Sequence, residues 1–266
     1  MSRKRRPVPE DSSSEDNIDI RSHALDFPPG YFLAAHSHDW HQLIYASRGV
    51  MTVKTATGLW VVPSRRAVWV PAYETHEIRM TGSVAMRTLY LRVTCSEALP
   101  KDCCVVNVSP LLRELILHTI NIGMLDRTNP SQARLAGVIL DELQTIPTMP
   151  LKLPMPSDKR ALRIAEQLRS MPGDARSLEQ ISKTEGAAKR TIERLFLSET
   201  DMTFGKWRQQ LRLLHALSLL ASGEPVTSVA LEVGYDSTSA FISAFKGAMG
   251  TTPGRYYAEV WISLKA

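Results

Sequence analysis

The sequence predicts an α+β chain: an N-terminal antiparallel β-barrel, a two-helix connector, and a C-terminal all-α domain with two helix-turn-helix motifs. Three observations predict it. Short apolar, β-branched runs alternate with turn signals between residues 32 and 93. The apolar spacing turns helical after Asn107, and a stretch holding Pro147, Pro150, Pro154 and Pro156 separates that pair of helices from a region that reads as helix throughout. The 266 residues are enough for two domains with their own cores.

Taken in order, residues 1–20 are basic, then serine-rich and acidic, with few apolar groups, and are expected to be a disordered tail. Residues 21–106 follow as the barrel. Its expected strands, 42–46, 51–55, 59–62, 68–70 and 88–93, are separated by turn signals at Arg48-Gly49, Thr57-Gly58, Pro63-Ser64 and Thr81-Gly82. Ser109 and Pro110 then open a helix as N-cap and first-position proline. Leu111, Leu112, Leu115, Ile116 and Thr119 form its stripe, and Leu135, Val138, Ile139 and Leu143 that of a second helix over 132–146. This connector, 107–147, is expected to pack on the barrel or on a second subunit.

Residues 148–157 form the linker, 158–257 the helical domain and 258–266 a tail. A helix over 158–170 ends before Met171-Pro172-Gly173, and Ser177 with Gln180 matches a capping box. Gly186 breaks the helix that follows, and another begins near Ala188, giving one helix-turn-helix. A long helix over 203–222 points Phe204, Trp207, Leu211, Leu214 and Leu217 inward and leads to a second such motif around Gly234. A connecting rod of that length, roughly 28 Å, would set two recognition helices about one duplex turn apart, roughly 34 Å.

Composition bounds the function. Net charge +5 and a pI near 9.2 are compatible with a polyanionic partner without requiring one. No apolar run of about 18 residues exists, so no membrane span is expected. The basic N-terminus lacks the apolar core of a signal peptide. Cys95, Cys103 and Cys104 are odd in number and lack metal-ligand spacing, which fits free thiols in a reducing cytoplasm. No nucleophile–base pair, GxGxxG or Walker pattern is present, so catalysis has little support.

Gly186, Arg194-Leu-Phe196, Arg212 with Ala216, Gly234-Tyr235, Phe241, Phe245-Lys246, Gly250 and Thr252-Pro253 fall at the spacing of the AraC/XylS family, and 158–257 resembles its DNA-binding domain. Two departures stand out: Ala188 where a serine cap is usual, and Pro253-Gly-Arg-Tyr-Tyr257 at the end. The resemblance implies a transcriptional regulator that binds double-stranded DNA as a homodimer in the cytoplasm, nucleoid-associated, with RNA polymerase as a further partner. It projects Lys189, Arg190, Glu193 and Arg194 toward DNA from the first motif, and Thr238, Ser239, Ser243 and Lys246 from the second. Arginine reads guanine bidentately and glutamate accepts from cytosine, whereas small hydroxyls favour phosphate. The first motif is therefore expected to carry most specificity. Leu195, Phe196, Trp207, Phe241 and Phe245 are expected in the core.

In the barrel, His36, His38, His41 and Gln42, with Gly49 downstream, resemble the first cupin motif, and Pro71-Ala-Tyr-Glu-Thr-His76 the second, with Tyr73 where glycine is usual. That likeness makes His36, His38 and His76 candidate ligands of a divalent metal, with Gln42 in the place of a glutamate; the alternative is that these histidines bond an organic ligand or fill the barrel mouth. Through His41-Gln-Leu-Ile-Tyr-Ala46, Gly49-Val-Met51, Gly58-Leu-Trp60, Arg66-Ala-Val-Trp69-Val-Pro71 and Val84-Ala-Met-Arg-Thr-Leu-Tyr90, the cupin half also resembles one AraC subgroup whose members respond to small molecules and often control transport or efflux genes. His36, His38, Gln42, Trp69, His76 and Arg87 are the candidate effector-binding residues. A barrel serving dimerisation alone and a metal-dependent cupin enzyme remain as alternatives.

Overall fold

The computed structural model describes residues 17–63, 66–96, 98–144, 148–149 and 152–256. The sequence-expected tail over 1–16, part of the linker, Tyr257 and residues 258–266 lie outside them. The chain forms two compact units, 1–56 with 62–150, and 57–61 with 151–266. The strands in chain order are β1 (Ile18–Phe27), β2 (Phe32–His36), β3 (His41–Thr55), β4 (Gly58–Val62), β5 (Arg66–Val70), β6 (His76–Leu91), β7 (Cys104–Asn107), β8 (Met124–Asp126), β9 (Thr148–Met149) and β10 (Lys152–Leu153).

In the first unit the sheet runs β8-β1-β6-β3-β5-β7-β9, with β2 also on β6. Its registers are antiparallel, for example Gln42↔Tyr90, Gln42↔Val70 and Trp69↔Cys104. Among the described residues the strand path does not close on itself, so the expected barrel is an open, cupin-like sheet. β1 starts at Ile18, inside the stretch read as tail. β3 and β6 run 15 and 16 residues, straight through two of the expected turns. The cause is a bulge: the β3–β6 register shifts at Ala46/Arg48 and Arg48/Val50. Gly49 sits there at φ +83°, where a Cβ would lie 2.4 Å from Ser83 O. Only glycine permits that approach.

Helices α1 (Pro110–Ile122) and α2 (Pro130–Gln144) cover one face of this sheet. Ser109 caps α1 by accepting from Leu112 N at 3.0 Å. Leu112, Ile116, Ala136, Ile139 and Leu143 pack against Leu43, Tyr45, Trp69, Leu89 and Leu91. The inward stripes thus differ from expectation at two places: Leu111 and Val138 point outward, 52% and 42% exposed.

The second unit contains α3 (Lys159–Ser170), α4 (Leu178–Thr184), α5 (Lys189–Thr200), α6 (Phe204–Ala221), α7 (Val226–Glu232) and α8 (Thr238–Met249). Its core joins Ile164, Leu168, Ile181, Ile192, Phe196, Trp207, Leu214, Phe241 and Phe245, all essentially unexposed. Leu195 is only half-buried, because it lies at the edge of the α5 stripe rather than in it. The stretch expected as a plain linker contains β10, paired with β4 through Lys152↔Trp60 and Leu153↔Leu59. Its proline content hid a two-residue strand. The carbonyl of Pro154 then accepts from Trp207 Nε1 at 2.7 Å, pinning the chain to α6. Among the described residues, no helix is long and apolar enough to cross a membrane.

Candidate functional site

Two places concentrate polar side chains that the fold does not need for packing. One is a histidine cluster on the sheet face away from α1 and α2. Alternation along β3 and β6 sends Leu43, Tyr45, Leu89 and Leu91 to the helix side, so Gln42, Thr88 and Tyr90 project to the other. His76 starts β6 and faces Thr55 of β3 and His36 of β2. His38 sits in the loop between β2 and β3. The ring centroids of His36 and His76 are 4.4 Å apart, and those of His38 and His76 5.3 Å. One ring nitrogen of each histidine lies within 4.8 Å of the others.

Each ring is oriented from behind. His36 Nδ1 lies 2.8 Å from Ala34 O, His38 Nδ1 2.6 Å from Trp40 O, and His76 Nδ1 3.0 Å from Glu74 O. Trp40 is itself flanked by the guanidinium groups of Arg21 and Arg92, 4.4 and 5.0 Å from its ring. Tyr73 N donates to His38 O at 2.7 Å. Tyr73 holds φ at +66°, so the position where the cupin motif has glycine keeps the left-handed backbone without the residue suited to it. Burial pushes the His76 imidazole down to about 4, against the bond to Glu74 that raises it, and burial lowers His38 as well. Burial likewise raises the phenol of Tyr90.

Gln42 ties the cluster together. Its Oε1 is 3.1 Å from both His38 Nε2 and His76 Nε2, and its Nε2 donates to Thr88 Oγ1 and Tyr90 OH, each at 3.0 Å. Of the six candidate effector residues, His36, His38, Gln42 and His76 are therefore brought together. Two are corrections. Trp69 lies in the core cluster under the helices, its ring 5.0 Å from that of His41 and tilted to it, and donates to Pro100 O at 2.7 Å. Arg87 shares the register of Tyr45 and is held by Asp26 and the carbonyls of Leu25 and Met86. Both fail for one reason: on the stretch of these strands that carries Leu43, Tyr45, Leu89 and Leu91, odd-numbered positions face the helices. Sequence reasoning missed Thr88 and Tyr90, although the same alternation identifies them once the 42↔90 register is known.

The second place is the helix-turn-helix pair. The capping box forms as expected, with Ser177 N donating to Gln180 Oε1 at 2.7 Å. Helix α5 buries Ile192 and Phe196 and exposes Lys189, Arg190, Glu193 and Arg194. Lys189 and Glu193 pair loosely at 3.8 Å, and among the described residues no carboxylate is engaged by Arg190 or Arg194. An open, mostly apolar hollow lies beside them, lined by Leu178, Ala188, Leu197 and Phe204. In α8, Phe241 and Phe245 are buried, Ser239, Ser243 and Lys246 are exposed, and Thr238 is half-buried.

A clamp that sequence reasoning did not find joins the two motifs. Arg208 donates to Arg176 O at 2.7 Å and to Asp174 O, and Arg212 donates to Pro172 O and Asp174 O at 3.3 and 3.2 Å. A Cβ on Gly173 would come within 2.2 Å of Glu232 O, and one on Gly234 within 2.9 Å of Gly173 O. The loop entering the first motif is thus seated on the turn of the second.

Comparison with known proteins follows the same division. Residues 17–136 match the AraC-like ligand binding domain, and 181–259 a helix-turn-helix domain. The HTH-type transcriptional regulator NimR of Escherichia coli K12 is 37% identical over 85% of this chain and 82% of its own length. RipA of Corynebacterium glutamicum is 37% identical over 39% of this chain and 31% of its own. Fatty-acid-bound ToxT from Vibrio cholerae covers 91% of this chain and 96% of its own, at 14% identity and a TM-score of 0.38. The chain belongs to the AraC family of DNA-binding transcriptional regulators and carries that family's ligand-binding domain.

Proposed function

We propose that the first motif reads the operator sequence and that the second positions the protein on the phosphate backbone. The observation that supports this division is the pair of exposed arginines on α5, which meet no carboxylate among the described residues, set against hydroxyls and one lysine on α8. Arg190 and Arg194, with Glu193, supply donors and an acceptor suited to base edges in the major groove. Thr238, Ser239, Ser243 and Lys246 supply groups suited to phosphate oxygens. Helix α6, at 18 residues and about 27 Å, has the length to place the two readers in successive grooves of one duplex face.

In this reading the protein is a non-enzymatic cytoplasmic regulator whose sheet domain binds a small effector beside the histidine cluster. It acts as a dimer, and Leu111, Ile122 and Val138, exposed on α1 and α2, supply apolar surface for a second copy. It meets RNA polymerase at its promoters and controls genes of transport or efflux. A coupling of about 1–3 kcal/mol between effector and DNA would suffice for switching. Replacing Arg190 or Arg194 by alanine is expected to cost about 1–3 kcal/mol each, roughly 5- to 150-fold in operator affinity, and to relax sequence preference. Ser239→Ala and Ser243→Ala should each change affinity only a few-fold. Titration of labelled operator and of scrambled duplex with each variant checks this, and equal losses in both sets would refute the division.

A further inference from the structure

Helix α6 carries Gly205, Arg208, Gln209 and Arg212 at positions i, i+3, i+4 and i+7, one stripe on its surface. With Tyr235, from the turn of the second motif, they line a hollow of about 280 Å³. Gly205 also lines the larger hollow beside Arg190 and Arg194. The smaller hollow therefore lies between the arginine face of α5 and the turn that leads into α8. Its charge is unmatched. The bonds that Arg208 and Arg212 donate within the clamp all end on neutral backbone carbonyls. Asp174, the carboxylate in the gripped loop, is already engaged by Arg176 at 2.5 and 2.9 Å. Among the described residues neither Arg208 nor Arg212 pairs with a carboxylate, and the buried Nε of Arg208 finds no acceptor. A Cβ on Gly234 would fall 2.8 Å from Arg212 Nη2, so the turn is shaped to admit that guanidinium. Two guanidiniums one helical turn apart repel each other. Burial, and then the charge of Arg212, lower the Arg208 guanidinium from its ordinary value. An anion beside the pair offsets that repulsion.

We propose that this hollow seats a phosphate oxyanion of the DNA backbone between the two motifs. The planar fork of arginine matches phosphate geometry, and Gln209 and Tyr235 add an amide and a hydroxyl at the rim. A duplex that offers successive major grooves to α5 and α8 turns a minor groove, with its flanking phosphates, toward the protein between them. The seat rests on the reading that both motifs meet one duplex, and it is indifferent to which of them reads bases.

The test uses the full-length protein and follows affinity against salt for operator and for scrambled duplex. Alanine at Arg208 or Arg212 would also loosen the clamp, so the variants are made at Gln209, which is exposed and is not one of the clamp's donors. Gln209→Glu puts a carboxylate into the hollow. It should weaken binding to both duplexes about tenfold and make the slope of log affinity against log salt shallower by about 1. Gln209→Arg should tighten both about three- to tenfold and steepen the slope by about 1. The thermal midpoint of Gln209→Glu should not fall, since its carboxylate meets two guanidiniums; a residue with a purely structural role would not move the slopes at all. Slopes unchanged in both variants would overturn the seat. So would unchanged slopes with a wild-type midpoint that inorganic phosphate raises at matched ionic strength, because the occupant would then be a soluble phosphate. Preference for operator over scrambled duplex should stay as in wild type, which keeps this result separate from the assignment of α5 as the base reader.

Discussion

In the first helix-turn-helix motif the leading helix α4 is closed by the reciprocal bonds of Ser177 and Gln180, while α5 begins at Ala188 with no side-chain cap. In the second motif the order is reversed: α7 starts behind Pro225 without a cap, and α8 is capped by Ser237, which accepts from Ala240 N at 3.2 Å. The helix that carries Arg190 and Arg194 is therefore the less firmly anchored at its start, and the one that carries hydroxyls the more firmly. α5 also ends on Asp201 at φ +57°, a left-handed residue with a Cβ, where α8 ends on Gly250 at φ +76°. Under the proposed division of labour, the firmer N-terminal cap lies on the phosphate-positioning helix and the weaker one on the base-reading helix.

The comparison holds only while both motifs share one frame, and Gly173 is where that frame is tightest. Gly173→Ala places a methyl carbon 2.2 Å from a backbone oxygen of Glu232, and neither partner is a flexible side-chain end. The expected cost is about 1–3 kcal/mol of stability, the largest effect foreseen from a single methyl in this unit. It should appear as a lowered thermal midpoint together with weaker operator binding, because the loop gripped by Arg208 and Arg212 must move. A midpoint within a degree of wild type would show the two motifs to be seated independently.

This frame also marks where the sequence stopped being legible. Caps and periodicity act within a few residues, so Ser109, the Ser177–Gln180 box and the buried faces of α5, α6 and α8 could be read in advance. His36, His38, Gln42 and His76 are expected as a group from the likeness to the cupin motifs, and the structure brings them together. What could not be read depends on partners far apart in the chain. Gly49 reads as a turn until Ser83 is known to lie against it, and Gly173 reads as a loop residue until Glu232 is found beside it. Trp69 as a pocket wall and Arg87 as a polar anchor rest on composition, which says which residues suit a pocket, whereas register decides which face they occupy. β10 escaped because two residues carry no period at all.

A smaller change sharpens the contrast in capping. Ala188→Ser restores an acceptor for the first-turn amides of α5 and should add about 1 kcal/mol of stability. Slower hydrogen exchange at residues 190–192 should accompany a raised thermal midpoint. The mirror substitution, Ser237→Ala in α8, should lose a similar amount. If Ala188→Ser leaves both observables unchanged, the first turn of α5 is satisfied some other way and the asymmetry in anchoring is only apparent.

The smallest expected effect separates the chemistry of the two motifs rather than their stability. Lys246 is exposed in the last turn of α8, where a cation also suits the helix dipole. A lysine that meets a phosphate releases about one counterion, so Lys246→Ala should lower the slope of log affinity against log salt by about 1. The loss should be the same for operator and scrambled duplex, because a phosphate carries no sequence information. Arg194→Ala should do the opposite, penalising operator more than scrambled DNA. A Lys246→Ala variant that discriminates between duplexes would mean that the second motif also reads bases, and that the hydroxyls of Ser239 and Ser243 do more than hold the protein in register.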